Sequence, residues 1–178
     1  YTINECTKRG IDKKKCKFIP NGIVNTKNSY YNKSDLEKKL NMNFKDKFVL
    51  FSVGRHVKRK GFNWFIKEVI PNLPENVIYV LAGEGPETEN IKETIKELKL
   101  ENKVILVGKI PDKEIYSLYK HSDLFIMPNI KVNGDAEGFG IVAIEASSNE
   151  AVVLGSNIEG IKDAIINGKS GYLIESKN

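Results

Sequence analysis

A chain of 178 residues, 40% hydrophobic and 29% charged, has the length and balance of one well-filled soluble domain; two domains are not expected. No apolar run approaches the ~20 residues needed to span a membrane and no signal peptide is visible, so a transmembrane segment is excluded. The 28 basic and 23 acidic residues leave a net charge of +5, which suits an anionic ligand or an acidic surface without selecting either.

Cys6 and Cys16 have no metal-binding spacing, so reduced thiols and a cytoplasmic setting are expected. The basic excess gathers in "KKKCK" (13–17) and "KRK" (58–60). Neither patch interleaves aromatics as a single-strand nucleic-acid binder does, so no nucleic-acid partner is expected. The chain opens on Tyr1 and stops just after "SGYLIE", so residues 1–178 read as one domain cut from a longer protein.

In chain order, "CKFIP" (16–20) is a candidate opening strand, and "NTKNSYYNKSD" (25–35) reads as a long surface connection. "FVLFSVG" (48–54) is an apolar run of the kind buried on both faces of a sheet, and "FNWFIKEVI" (62–70) switches to helical periodicity. "VIYVLAG" (77–83), a helix over 86–100, "KVILVG" (103–108), a helix over 112–120 and "DLFIMP" (123–128) continue the alternation. A helix over 139–149, "AVVLGS" (151–156), a helix over 159–166 and "GYLI" (171–174) complete it. Strands alternating with helices predict right-handed crossovers and a Rossmann-like, doubly wound parallel sheet covered by helices on both faces. Ligands of such sheets bind beyond the carboxyl ends of the strands, where "GRHVKRKG" (54–61), "GEGPE" (83–87), "GKIPD" (108–112) and "PNIKVNGDAEGFG" (128–140) converge.

The sharpest question lies in "GDAEGFGIVAIEA" (134–146). Ile141, Val142, Ala143, Ile144 and Ala146 wrap nearly every side of the predicted helix, yet Glu137 precedes it and Glu145 lies inside it. A buried carboxylate is costly unless something hydrogen-bonds it; the alternative is a thin solvent stripe. In "GRHVKRKG", Gly54 gives a tight exit from the strand, and Arg55 with Lys60 would clamp a diphosphate. Lys58 and Arg59 read as solvated, His56 as a packing or exposed residue. "GFG" (138–140) stands at the start of a crossover helix, where backbone amides could approach an anion; turn-forming glycines are the equal alternative. "GEGPET" (83–88) resembles a dinucleotide fingerprint but places Thr88 where the third glycine belongs, and no acidic residue ends the next strand, which disfavours NAD. Asp135 reads as a loop residue, with no further metal ligand evident.

With "GRHVKRKG" and the Glu137–Glu145 pair together, the chain resembles the carboxy-terminal, nucleotide-sugar-binding domain of retaining GT-B glycosyltransferases, the glycosyl transferases group 1 family. "PNGI" (20–23), "LAGEGPE", "VGKIPDKE", "SDLFIMPN", "EGFGIVAIEA" and "SGYLI" carry the resemblance along almost the whole chain. It implies that Arg55 and Lys60 hold the donor diphosphate, that Glu145 binds the ribose hydroxyls, and that Glu137 contacts the transferred sugar. The amides of Gly138, Phe139 and Gly140 would lie near the sugar and phosphates, and Gly54, Gly83 and Gly85 would complete the donor site. Catalysis would rest on Glu137, Arg55 and Lys60. The family needs no metal or cofactor, takes UDP- or GDP-sugars, and delivers to a glycan or lipid-linked acceptor held by an amino-terminal domain that is absent here. Polysaccharide assembly in the cytoplasm, with peripheral contact at the inner membrane face, follows from the same resemblance. The chain departs from it at Glu150 and Ala151, where a Gly-x-Pro bend is usual, and at "EGIKD" (159–163), where Glu159 replaces a glycine. The rival readings are a dinucleotide-dependent epimerase or dehydrogenase and a flavodoxin-like signalling module.

Overall fold

The computed structural model describes residues 1–23 and 29–177. In chain order the elements are α1 (Thr2–Lys8), α2 (Lys33–Leu40), β1 (Phe48–Val53), α3 (Phe62–Glu68), β2 (Val77–Ala82), α4 (Thr88–Glu97) and β3 (Val104–Gly108). They continue as α5 (Asp112–His121), β4 (Leu124–Met127), α6 (Ile141–Ser148), β5 (Val153–Ser156), α7 (Ile161–Ala164) and β6 (Tyr172–Ile174). The six strands form one sheet in the order β3-β2-β1-β4-β5-β6, and every pairing is parallel. This is the expected doubly wound, Rossmann-like α/β fold.

Burial explains why the strands read as unbroken apolar runs: all six residues of β2 are buried, as are four consecutive residues of β1. On one face Phe51, Tyr119 and Phe125 make edge-to-face contacts, with centroids 5.4 Å apart for Phe51–Tyr119 and 5.0 Å for Tyr119–Phe125. Helices α2, α5, α6 and α7 close over this cluster, and α3 and α4 close the opposite face over Tyr79 and Leu81. Among the described residues no helix is long and apolar enough to cross a membrane.

Several expectations need correction. Residues 16–20 join no strand of the sheet, whose edges are β3 and β6; Phe18 and Ile19 stand exposed. Of the surface connection expected over 25–35, residues 25–28 lie outside the described residues. Its end instead feeds α2, where the Asn32 side chain caps the Asp35 amide at 2.9 Å and Leu36 is fully buried. Helix α6 is not wrapped on every side. It packs through Ala143 and Ala146, while Ile141 remains 38% exposed.

The strand order reverses between β1 and β4, which are neighbours in space. Crossovers leaving this pair run to opposite sides and open a crevice beyond the carboxyl ends of both strands. The loop after β1 and the loop after β4 therefore flank the crevice, and these are the loops that carry Arg55, Lys60 and Glu137.

Candidate functional site

Main-chain contacts bring the loops together. A Cβ at Gly83 would collide with the carbonyl of Gly54, and one at Gly85 would lie 2.5 Å from the His56 oxygen. Only glycine lets the loops after β1 and β2 approach this closely. The amides of Gly54, Gly83 and Gly85 are already engaged, with Ala82 O, Gly108 O and Thr88 Oγ1 respectively. These glycines therefore form the wall of the site by backbone packing and leave the charged side chains to meet a ligand.

That wall encloses a cavity of 440 Å³ lined by Gly54, Arg55, Gly83, Glu84, Gly85 and Lys109. Arg55 is exposed to it. Lys109, from the loop after β3, adds a second cation that the sequence did not single out. His56 is buried, its Nδ1 2.9 Å from Thr88 Oγ1, and burial lowers its pKa. Thr88, which breaks the dinucleotide fingerprint, closes the loop by accepting the Gly85 amide at 2.9 Å.

Lys60 ends a 3-10 turn, Lys58–Lys60, and points into the fold. A Cβ at the next residue, Gly61, would strike the Pro128 carbonyl, so this turn rests directly on the loop after β4. There Lys60 Nζ meets Glu137 Oε2 at 2.5 Å, and both side chains are almost wholly buried. Asn129 Nδ2 donates to the same oxygen at 3.3 Å, and Arg59 Nε lies 3.8 Å from it. Arg59 also forks onto Asp135 at 3.1 and 3.2 Å, so its assignment as a solvated residue is corrected. The guanidinium folds inward because two carboxylates of the facing loop receive it.

Glu137, Gly138, Phe139, Gly140 and Ile141 line a second cavity of 440 Å³ with Phe18 and Ile19. Among the described residues no acceptor meets the amides of Gly138, Phe139 or Gly140. Glu145 lies apart from both cavities, against α5. Tyr119 Oη donates to Glu145 Oε2 at 3.4 Å, and burial raises the carboxyl pKa, offset in part by that hydrogen bond and supported by the nearby Asp112. Lys60 and Glu137 are thus in direct contact, while no hydrogen bond or ion pair joins Arg55 or Glu145 to them. No sequence pattern signals Asn129 as a Glu137 partner or Tyr119 as a Glu145 partner. Both follow from strand and helix register.

A switch-point crevice walled by glycines and furnished with cations defines a Rossmann-type domain suited to an anionic ligand. Residues 32–178 match the family described as "Glycosyl transferases group 1", and the chain belongs to that family. It is 33% identical over 144 residues to the capsular polysaccharide biosynthesis glycosyltransferase CapM of Staphylococcus aureus, covering 79% of this chain and 36% of that protein. The structure of HepE from Anabaena in complex with UDP and glucose superimposes with a TM-score of 0.81 at 21% identity, over 99% of this chain and 47% of that one. The carboxy-terminal domain of the group 1 protein LpcC from Francisella tularensis gives 0.64 at 23% identity, over 84% of this chain and 77% of that domain. The fold is that of the carboxy-terminal domain of a GT-B glycosyltransferase, and the chain spans less than half of CapM and of HepE.

Proposed function

We propose that this chain is the donor-binding domain of a retaining, hexosyl-transferring GT-B glycosyltransferase. It holds a UDP- or GDP-linked sugar and delivers it to a glycan or lipid-linked acceptor bound by a second domain. Polysaccharide assembly in the cytoplasm, at the inner face of the membrane, is the setting we infer. The observation that carries the reading is the Lys60–Glu137 pair at the switch point, beside the cavity to which Arg55 is exposed. HepE, solved with UDP and glucose, and CapM, named for capsular polysaccharide biosynthesis, support it.

The chemistry follows from placement. Arg55 and Lys60 neutralise the diphosphate, Arg as a planar fork and Lys as a point charge. An ammonium has three donors, so Lys60 can keep Glu137 while it takes a phosphate oxygen. Glu137, held by Lys60 and Asn129, accepts from a hydroxyl of the transferred sugar, and Glu145 accepts from the ribose diol. As the bond from the anomeric carbon to phosphate breaks, negative charge grows on the phosphate and the two cations stabilise it. The acceptor oxygen bonds to the same face of the anomeric carbon and its proton passes to the departing phosphate oxygen. No side-chain nucleophile takes part. A thermal-shift series with UDP, GDP, their hexose conjugates and NAD tests the reading. One nucleoside diphosphate and its sugar should stabilise the chain and NAD should not; stabilisation by NAD alone would assign the crevice to a dehydrogenase or epimerase.

A further inference from the structure

The turn before α7 holds the main chain of Glu137, whose side chain Lys60 engages. Glu159 adopts a left-handed backbone conformation, φ 48°, that disfavours any residue with a Cβ. It is only 9% exposed, and among the described residues no cation pairs with it. Its carboxylate instead accepts the Glu137 amide at 2.6 Å. The next residue, Gly160, donates its own amide to the Glu137 carbonyl at 3.0 Å, and a Cβ there would collide with the Gly138 carbonyl. Both main-chain polar groups of Glu137 are therefore held by two consecutive residues of a single turn. That turn is anchored to the end of β5 through the Ile158 amide and Ser156 carbonyl, 2.8 Å apart.

A buried carboxylate without a cation in a disfavoured conformation requires a strong local partner, and a charge-assisted hydrogen bond to an amide is one. We propose that Glu159 is a positioning residue for the sugar subsite: it fixes the Glu137 main chain, and through it the aim of the Glu137 carboxylate at the transferred sugar. The inference rests on the proposed role of Glu137 and adds that the sugar-dependent part of donor affinity passes through Glu159. The side chain also occupies the amide of Glu137, a residue that lines the second cavity. Discrimination there is left to the Glu137 carboxylate and to the unengaged amides of Gly138, Phe139 and Gly140.

Two variants separate positioning from simple stability. Glu159→Gly suits the left-handed backbone but removes the acceptor; Glu159→Gln keeps an oxygen acceptor and removes the charge. In the 15N-labelled chain, the Glu137 amide should exchange at least about tenfold faster in the glycine variant and be largely protected in the glutamine variant. Calorimetry with UDP, GDP, UDP-glucose and GDP-mannose supplies the second reading. The ratio of nucleotide-sugar to free-diphosphate affinity should fall about tenfold in Glu159→Gly and recover in Glu159→Gln, with free-diphosphate affinity nearly constant. Unchanged amide exchange in the glycine variant would refute the clamp. A freed amide with an unchanged affinity ratio would refute the positioning role. If the unsubstituted chain bound none of the four nucleotides, the donor-binding reading would fall and the role of Glu159 with it, and the exchange data would still report on the clamp alone.

Discussion

Arg55 and Lys60 bring the same charge to one crevice under different constraints. Arg55 is exposed to the cavity, so Arg55→Ala should cost only ligand affinity, about one to two decades for a lost charge-assisted hydrogen bond, with no change in melting temperature. Lys60 is also the partner of a carboxylate whose side chain is 12% exposed. Lys60→Ala leaves Glu137 to Asn129 and to an Arg59 nitrogen 3.8 Å away, and should cost about 1–3 kcal/mol of stability in addition to affinity. Paired melting curves and calorimetry distinguish the two; equal melts for both variants would contradict this division. Glu145 makes the opposite case. Its raised pKa means that the folded chain binds the proton more readily than the unfolded chain. Its contribution to stability is therefore full below the unfolded carboxylate pKa and is lost as pH rises through the folded value. Glu145→Gln should melt higher than the parent near pH 7, with the gain vanishing at about pH 4 and below. A gain that persisted in acid would show that the carboxylate charge is not its source. The types and spacing of Arg55, Lys60, Glu137 and Glu145 were legible in the sequence. The inward turn of Arg59 was not, since it depends on a carboxylate far away in the chain.

Between elements, the loops after β1 and β2 are fastened by a side chain whose purpose the sequence conceals. Thr88 reads as a flaw in a glycine fingerprint, yet its hydroxyl accepts the Gly85 amide and meets His56 Nδ1, both at 2.9 Å. Thr88→Val keeps the shape and removes the partner of two part-buried polar groups, the Gly85 amide and His56 Nδ1, an expected loss of about 1–3 kcal/mol. At this chain length the melting temperature should fall by about 2–4 °C per kcal/mol. A valine variant that melts with the parent would show that water or a rotated His56 replaces the hydroxyl. The strands were legible because a sheet buried on both faces needs unbroken apolar runs. Residues 16–20 mimic such a run yet pair with no strand, because pairing depends on where the fold places the segment relative to a sheet edge, which composition does not encode. The apolar count of α6 was equally misleading: two alanines make its packed stripe, and Ile141 is left facing the cavity beside Glu137.

At the scale of the whole molecule, the alternation of strand and helix was enough to predict a doubly wound sheet, and the strand order then places the loops after β1 and β4 on either side of one crevice. The sequence could bring four loops to the same end of the sheet; it could not show which pair would touch. That contact, Lys60 with Glu137, joins the two sides of the crevice before any ligand arrives. Three cations, Arg55, Lys60 and Lys109, come from two different loops; Lys60 is held by Glu137, while Arg55 and Lys109 stand in solvent, Lys109 with Glu84 3.8 Å away. A diphosphate entering between them meets charge that is already in place, so its affinity should not depend on a divalent ion. Binding of the favoured nucleoside diphosphate should be the same with EDTA as with Mg²⁺. It should weaken about tenfold between low and high salt, because Arg55 and Lys109 act from the solvent side, where counter-ions screen them. Residues 1–178 alone should bind without transferring sugar to an acceptor, because the proposed reading assigns closure over the crevice and presentation of the acceptor hydroxyl to a second domain. Calorimetry across the salt series, with and without EDTA, tests the first two statements. A radiolabelled-sugar transfer assay tests the third. Binding that required Mg²⁺ would mean that the three cations do not neutralise the diphosphate, and the assignment of Arg55 and Lys60 to it would be wrong.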